Sequence, residues 1–213
     1  MNGKNKKQKI LKIIELLDKE YLNARTALKF RNPLEMLIST ILSAQCTDAR
    51  VNIVTKELFK KYKKPEDYAD VNLSEFENDI HSTGFYKNKA KNIKAACKMI
   101  VEKFNSKVPN NMDELLTLPG VARKTANIVL WNSCGIISGI AVDTHVKRQS
   151  MLLGLTANKD QDKIEKDLME ITPKKEWPHI TNLLIEHGRN VCIARRPKCE
   201  ICVLNKICSS SKV

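Results

Sequence analysis

The chain has 213 residues, 42% of them apolar and 29% charged, enough for one large domain or two small ones around a hydrophobic core. Lys and Arg number 37 against 24 acidic residues, and a formal charge of +13 points to a polyanionic partner, nucleic acid first, over a merely basic surface. No apolar run approaches the ~20 residues that span a bilayer, and the basic start MNGKNKKQKI lacks the apolar stretch of a secretory signal, so a cytoplasmic protein with no membrane contact is expected.

Only 7 Gly and 7 Pro over this length favour long helices with few tight turns. Ile10, Ile13, Ile14 and Leu17 mark an amphipathic first helix. Asn32 and Pro33 open the next as N-cap and first-turn proline, ahead of a stripe of Leu34, Leu37, Ile38, Ile41 and Leu42. A third helix is expected at 48–62, then short ones at 73–81 and 112–116 around a long one at 88–104 carrying Ile93, Cys97, Ile100 and Phe104. Further helices read at 123–131, 144–153, 160–170 and 177–191. No convincing strand, repeat or low-complexity linker interrupts them, so the expected class is all-α.

Between two of these helices lies LPGVARKTANIVL, residues 118–130. Pro119 fixes one backbone angle and Gly120 tolerates a left-handed one, so the chain reverses in few residues. Amides of the turn and of the next helix's first turn lack intrahelical partners, and with the helix dipole they form an anion site. Such a site grips phosphate without reading a base. A corner that serves packing alone is the competing reading.

Four of the 7 cysteines crowd the last 22 residues as C-x6-C-x2-C-x5-C, at Cys192, Cys199, Cys202 and Cys208. In a reducing compartment that pattern suggests metal over disulfides, and the chemistry leaves zinc and iron–sulfur open. Cys46, Cys97 and Cys134 fall on apolar helical faces and read as core residues.

Four segments, in this order, resemble the endonuclease III family of base-excision DNA glycosylases: ILSAQCTD at 41–48, the 118–130 hairpin, VDTHVKR at 142–148, and the cysteine spacing. The resemblance runs from about residue 25 to the C-terminus. It implies a two-domain helix-hairpin-helix glycosylase fold with a C-terminal iron–sulfur loop. A six-helix domain would span 26–137, and 1–25 with 138–213 would form a second domain carrying a 4Fe-4S cluster on the four cysteines. Lys124 would be the nucleophile and Asp143 its partner across a cleft.

The same resemblance implies a set of DNA contacts. The hairpin would supply Leu118, Gly120, Val121, Ala122 and Arg123, and the cysteine loop a basic knuckle of Arg195, Arg196 and Lys198. Gln45 and Phe85 would fill the stack that a flipped nucleotide leaves. His145 lines the site or simply opens its helix, and Lys87, Lys89 and Lys91 touch the DNA backbone or form a solvated face. Ala122 departs from the family, which often has a second glycine there; its methyl group could restrict the backbone or hold a phosphate further off.

Lys124 has a chemical rationale of its own. An amine can displace a base at the anomeric carbon, form a Schiff base and permit β-elimination, provided that it is neutral. An ordinary lysine is free amine only about once in 2,500 at pH 7. A place in the first turn of a helix, beside Arg123, disfavours the charged ammonium. Asp143 can steady positive charge on the sugar, and it is also a good N-cap for the helix after it.

The expected activity is a bifunctional glycosylase and abasic-site β-lyase removing oxidised pyrimidines from duplex DNA, as a monomer, nucleoid-associated if prokaryotic. Relatives that excise mismatched thymine or adenine lack the lysine, and the adenine-specific ones carry a further C-terminal domain, whereas this chain stops five residues after Cys208. A monofunctional mismatch glycosylase and a non-catalytic DNA-binding module are the alternatives.

Overall fold

The computed structural model describes residues 3–213. The described residues form helices and turns with no strand. The chain divides into two compact units: one is continuous, Ala27–Ser138, and the other joins the segment through Thr26 to Gly139–Val213.

The continuous unit holds α2 (Pro33–Leu42), α3 (Asp48–Lys61), α4 (Pro65–Asp70), α5 (Leu73–Asp79), α6 (Tyr86–Lys103), α7 (Met112–Thr117) and α8 (Arg123–Cys134), with a 3-10 turn at His81–Thr83. Asn32 caps α2 by accepting the Glu35 amide at 2.9 Å, and Pro33 fills its first position. Every residue from Leu34 to Leu42 is buried, so α2 forms the axis of this unit and packs on α3, α6 and α8. Its one charge, Glu35, is paired with Arg31 at 2.7 Å. The helix α4 is absent from the sequence reading because six residues are too few to show a period. Pro65 and the Asp67 carboxylate, which accepts the amides of Lys63 and Lys64 at 2.7 and 3.1 Å, set its start. Its Tyr68 closes an aromatic cluster with Tyr62 and Phe76, and burying each ring contributes roughly 2–3 kcal/mol.

The discontinuous unit holds α1 (Gly3–Glu20), α9 (Thr144–Leu152), α10 (Gln161–Ile171) and α11 (Trp177–Asn190). The α1 stripe of Ile10, Ile13, Ile14 and Leu17 is buried against α10 and α11, in a core with Ile164, Leu168, Leu183 and Leu184. Gly188 lets α11 approach α9: a Cβ there would lie 2.6 Å from both Gln149 Nε2 and His145 Nδ1. After α11 the chain has only two 3-10 turns, Cys199–Ile201 and Asn205–Ile207. Among the described residues no helix is long and apolar enough to cross a membrane.

Candidate active site and cluster loop

The hairpin lies between α7 and α8. Leu118 donates its amide to the Leu115 carbonyl and Val121 to the Leu118 carbonyl, both at 3.1 Å. Their side chains are buried in the core. Leu118 and Val121 therefore build the turn, and their amides take part in it. Gly120 holds φ at +79°, and a Cβ there would meet Asn92 Cβ of α6 at 2.8 Å, so glycine is required twice over. Ala122 has φ −93° and ψ 169°, ordinary extended backbone, so the departure from a second glycine introduces no strain. Arg123 and Lys124 begin α8 and are half-buried in its first turn.

Asp143 belongs to the discontinuous unit and Lys124 to the continuous one. Asp143 caps α9, its Oδ1 accepting the amides of His145 and Val146 at 2.8 Å each. The carboxylate is thereby fixed in orientation while staying partly exposed. Burial pulls the His145 pKa below its ordinary value, opposed by the Asp143 charge.

Gln45 lies in the exposed turn after α2 with φ 53°, and Phe85 precedes α6 with φ 48°. Phe85 is 63% exposed, so it is not a core aromatic. Both Gln45 and Phe85 stand in the left-handed region, as Asn105 and Ser106 also do, at a cost on the order of 1–3 kcal/mol each. Lys87 and Lys91 are exposed, but Lys89 is buried, and neither expectation for it holds. Its Nζ donates to the carbonyls of Leu42 at 2.8 Å and Thr83 at 2.9 Å. The signal was present: Lys89 stands four residues before Ile93, on the same stripe as Cys97 and Ile100.

Cys192, Cys199, Cys202 and Cys208 all line one cavity of about 70 Å³, walled also by Leu152, Leu153, His187 and Leu204. A single water needs ~10–15 Å³, so the thiols ring a space instead of closing on each other. None is in a disulfide. No three His, Cys, Asp or Glu side chains among the described residues converge tightly enough to hold one metal ion. Four soft donors around a space suit a polynuclear iron–sulfur centre.

Neighbours of the ligand loop are equally specific. Arg148 donates to the Cys192 carbonyl. His187 Nε2 lies 3.4 Å from Cys202 Sγ, and its Nδ1 lies 3.2 Å from the Tyr21 hydroxyl. Burial, aided by the Arg148 charge, drops the His187 pKa to about 4, so the ring is neutral. Burial also pushes the Cys192 and Cys202 thiols up, so metal must displace their protons. Arg195, Arg196 and Lys198 are exposed on the arm between the first two cysteines. Sequence reasoning missed His187 and Arg148 because only the fold brings α9 and α11 to the loop. Of the other cysteines, Cys97 is core, whereas Cys46 sits in the turn after α2 and Cys134 ends α8, both only partly buried.

Residues 38–174 match the HhH-GPD superfamily of base excision DNA repair proteins, and 192–208 match the iron–sulfur binding domain of endonuclease III. Endonuclease III of Synechocystis sp. is 50% identical over 208 residues, covering 98% of this chain and 95% of that protein. The chain belongs to the endonuclease III family. Two solved structures agree at TM-score 0.92 and 47% identity, a non-covalent endonuclease III–DNA complex and a trapped endonuclease III–DNA covalent intermediate. Each overlaps 97% of this chain, and the shares of their own chains covered are 96% and 97%. As a member of that family the protein is a DNA N-glycosylase with abasic-site lyase activity in base excision repair, and it carries a 4Fe-4S cluster.

Proposed function

We propose that Lys124 forms the Schiff base and that the substrates are oxidised pyrimidines in duplex DNA. One observation carries this reading: a half-buried lysine in the first turn of α8, directly behind a hairpin whose glycine and buried leucine and valine fix the helix mouth. The Lys124 nitrogen donates its lone pair to C1′ of the sugar, forming the new C–N bond as the glycosidic bond breaks, and the base departs with the glycosidic bond's electron pair and takes up a proton. The new ammonium gives one proton to O4′ as the C1′–O4′ bond breaks and the ring opens, and the nitrogen keeps its second proton as a protonated imine. Removal of a proton from C2′ then expels the 3′ phosphate, cutting the strand.

Asp143 steadies positive charge on the sugar and relays protons, held in place by its own capping bonds. Gln45 and Phe85 enter the stack that the flipped nucleotide leaves. Gly120, Ala122 and Arg123 of the hairpin, together with Arg195, Arg196 and Lys198, hold phosphates, and His145 lines the site. Cys192, Cys199, Cys202 and Cys208 ligate the cluster, which supplies structural cross-linking of that loop. The protein would act as a monomer wherever the DNA lies, in the cytoplasm and on the nucleoid.

Borohydride reduction during reaction with lesion-bearing duplex tests the assignment. The native chain should give a covalent protein–DNA adduct and Lys124→Ala none; an adduct that survives in Lys124→Ala refutes the nucleophile. Asp143→Asn separates the two duties of the aspartate, because asparagine caps helices equally well. It should keep stability within about 0.5 kcal/mol and lower single-turnover excision by about a hundredfold or more.

A further inference from the structure

Two of the exposed loops with left-handed residues, those of Gln45 and Phe85, share an anchor. The Gln45 loop leaves α2 at Leu42, and the Phe85 loop leaves the 3-10 turn at Thr83. Carbonyls at such ends lack the helix's own donors. The Lys89 ammonium takes both, bridging segments 47 and 6 residues away from it in the chain. Its charge also lies at the favourable C-terminal end of the α2 dipole.

A lysine is an expensive residue on a buried stripe. At 5% exposure its charge is desolvated, burial lowers its pKa, and leucine or methionine would pack the same stripe without that penalty. Each loop also has turn bonds of its own: the Cys46 amide donates to the Ser43 carbonyl at 3.1 Å, and Thr83 Oγ1 donates to the Ile80 carbonyl at 2.8 Å. The ammonium is therefore not needed to form either turn. What it adds is a fixed spacing between them.

We propose that Lys89 is a positioning residue for base extrusion, its ammonium tying the Gln45 and Phe85 segments together so that both side chains enter the DNA stack as one unit. This rests on the reading of Gln45 and Phe85 as the inserted pair. Without the tie the two insertions become separate events, each ordering its own loop.

The test uses the whole protein and two assays. Stopped-flow fluorescence of 2-aminopurine beside an oxidised pyrimidine in duplex DNA reads extrusion, and borohydride trapping on an abasic site in a single strand reads the Lys124 chemistry without it. Lys89→Met should slow extrusion by about tenfold and leave single-strand trapping within about twofold, with Lys89→Arg recovering most of the loss. In the Gln45→Ala/Phe85→Ala background, Lys89→Met should add less than about a twofold change, as coupled residues do.

Normal extrusion in Lys89→Met, with slowed extrusion in Gln45→Ala or Phe85→Ala, overturns the tie and spares the inserted pair. Normal extrusion in both alanine variants overturns the inserted pair and the tie with it. Equal loss in the two assays, or no recovery by Lys89→Arg, marks a general core defect and overturns the proposal. If Lys89→Met does not fold, Lys89→Gln, which can keep one of the two bonds, is judged by the same criteria.

Discussion

The hairpin at 118–123 is made of backbone, with Leu118 and Val121 driven into the core beneath it, whereas the loop at 192–208 has two short 3-10 turns and a single buried hydrophobic residue, Leu204. The first takes its shape from folding alone: a left-handed glycine, two turn bonds and a helix behind it. The second has less structure of its own and is steadied by Arg148 and His187 from helices outside it. A site made of amides survives many side-chain changes but no bulk at its glycine. A site made of thiols tolerates loose backbone but not the loss of one ligand.

The contrast breaks first at the thiols. Cys202→Ser should cost the protein most of its iron and brown colour and lower the melting temperature by more than about 10 °C. Hydrogen exchange should meanwhile show α2–α8 still protected, and full iron content would overturn the ligand assignment.

Gly120→Ala attacks the backbone site. It places a Cβ at left-handed φ and 2.8 Å from Asn92 Cβ, and should remove about 2 kcal/mol of stability in a denaturant melt. Duplex affinity should weaken across all sequences, with a salt slope shallower by about one.

A cysteine of the opposite kind sharpens the comparison. Burial pushes the Cys97 thiol up to about 12, while the loop thiols must ionise to take iron. The unfolded chain releases this proton near pH 8.5–9 and the native one retains it, so Cys97 contributes stability that is intact below that range and is lost as pH climbs toward 12. At pH 10 the loss should be about 1.4 kcal/mol, and Cys97→Ala should flatten the alkaline slope in melts across this window. The smallest effect belongs to Ala122→Gly: about 0.5 kcal/mol lost through unfolded-chain freedom, with duplex affinity unchanged within about twofold.

Much of this molecule could be read before folding because its longer helices repeat a strong period over ten or more residues. The caps at Asn32 and Asp143 were equally plain, since capping chemistry acts within three residues of the chain. Features set by distant segments were hidden. Nothing local says that Lys89 reaches Leu42 or that Gly188 faces His145, and nothing in the hairpin says that two of its amides are consumed internally. The site was therefore legible as a set of motifs, but the bonds that stiffen it were not.

The split unit also dictates an order of events on the ribosome. Ala27–Ser138 has all its partners in hand once it leaves the exit tunnel, but α1 cannot cover its isoleucines until α10 and α11 have been synthesised. Until then the isoleucine stripe of this first helix lacks the partners that bury it, behind Lys4, Lys6, Lys7 and Lys9. Iron delivery must come later still, because Cys208 is made nearly two hundred residues after Ile10. A nascent chain stalled before α10 should then be a finished hairpin half trailing a sticky leader, a natural target for chaperones.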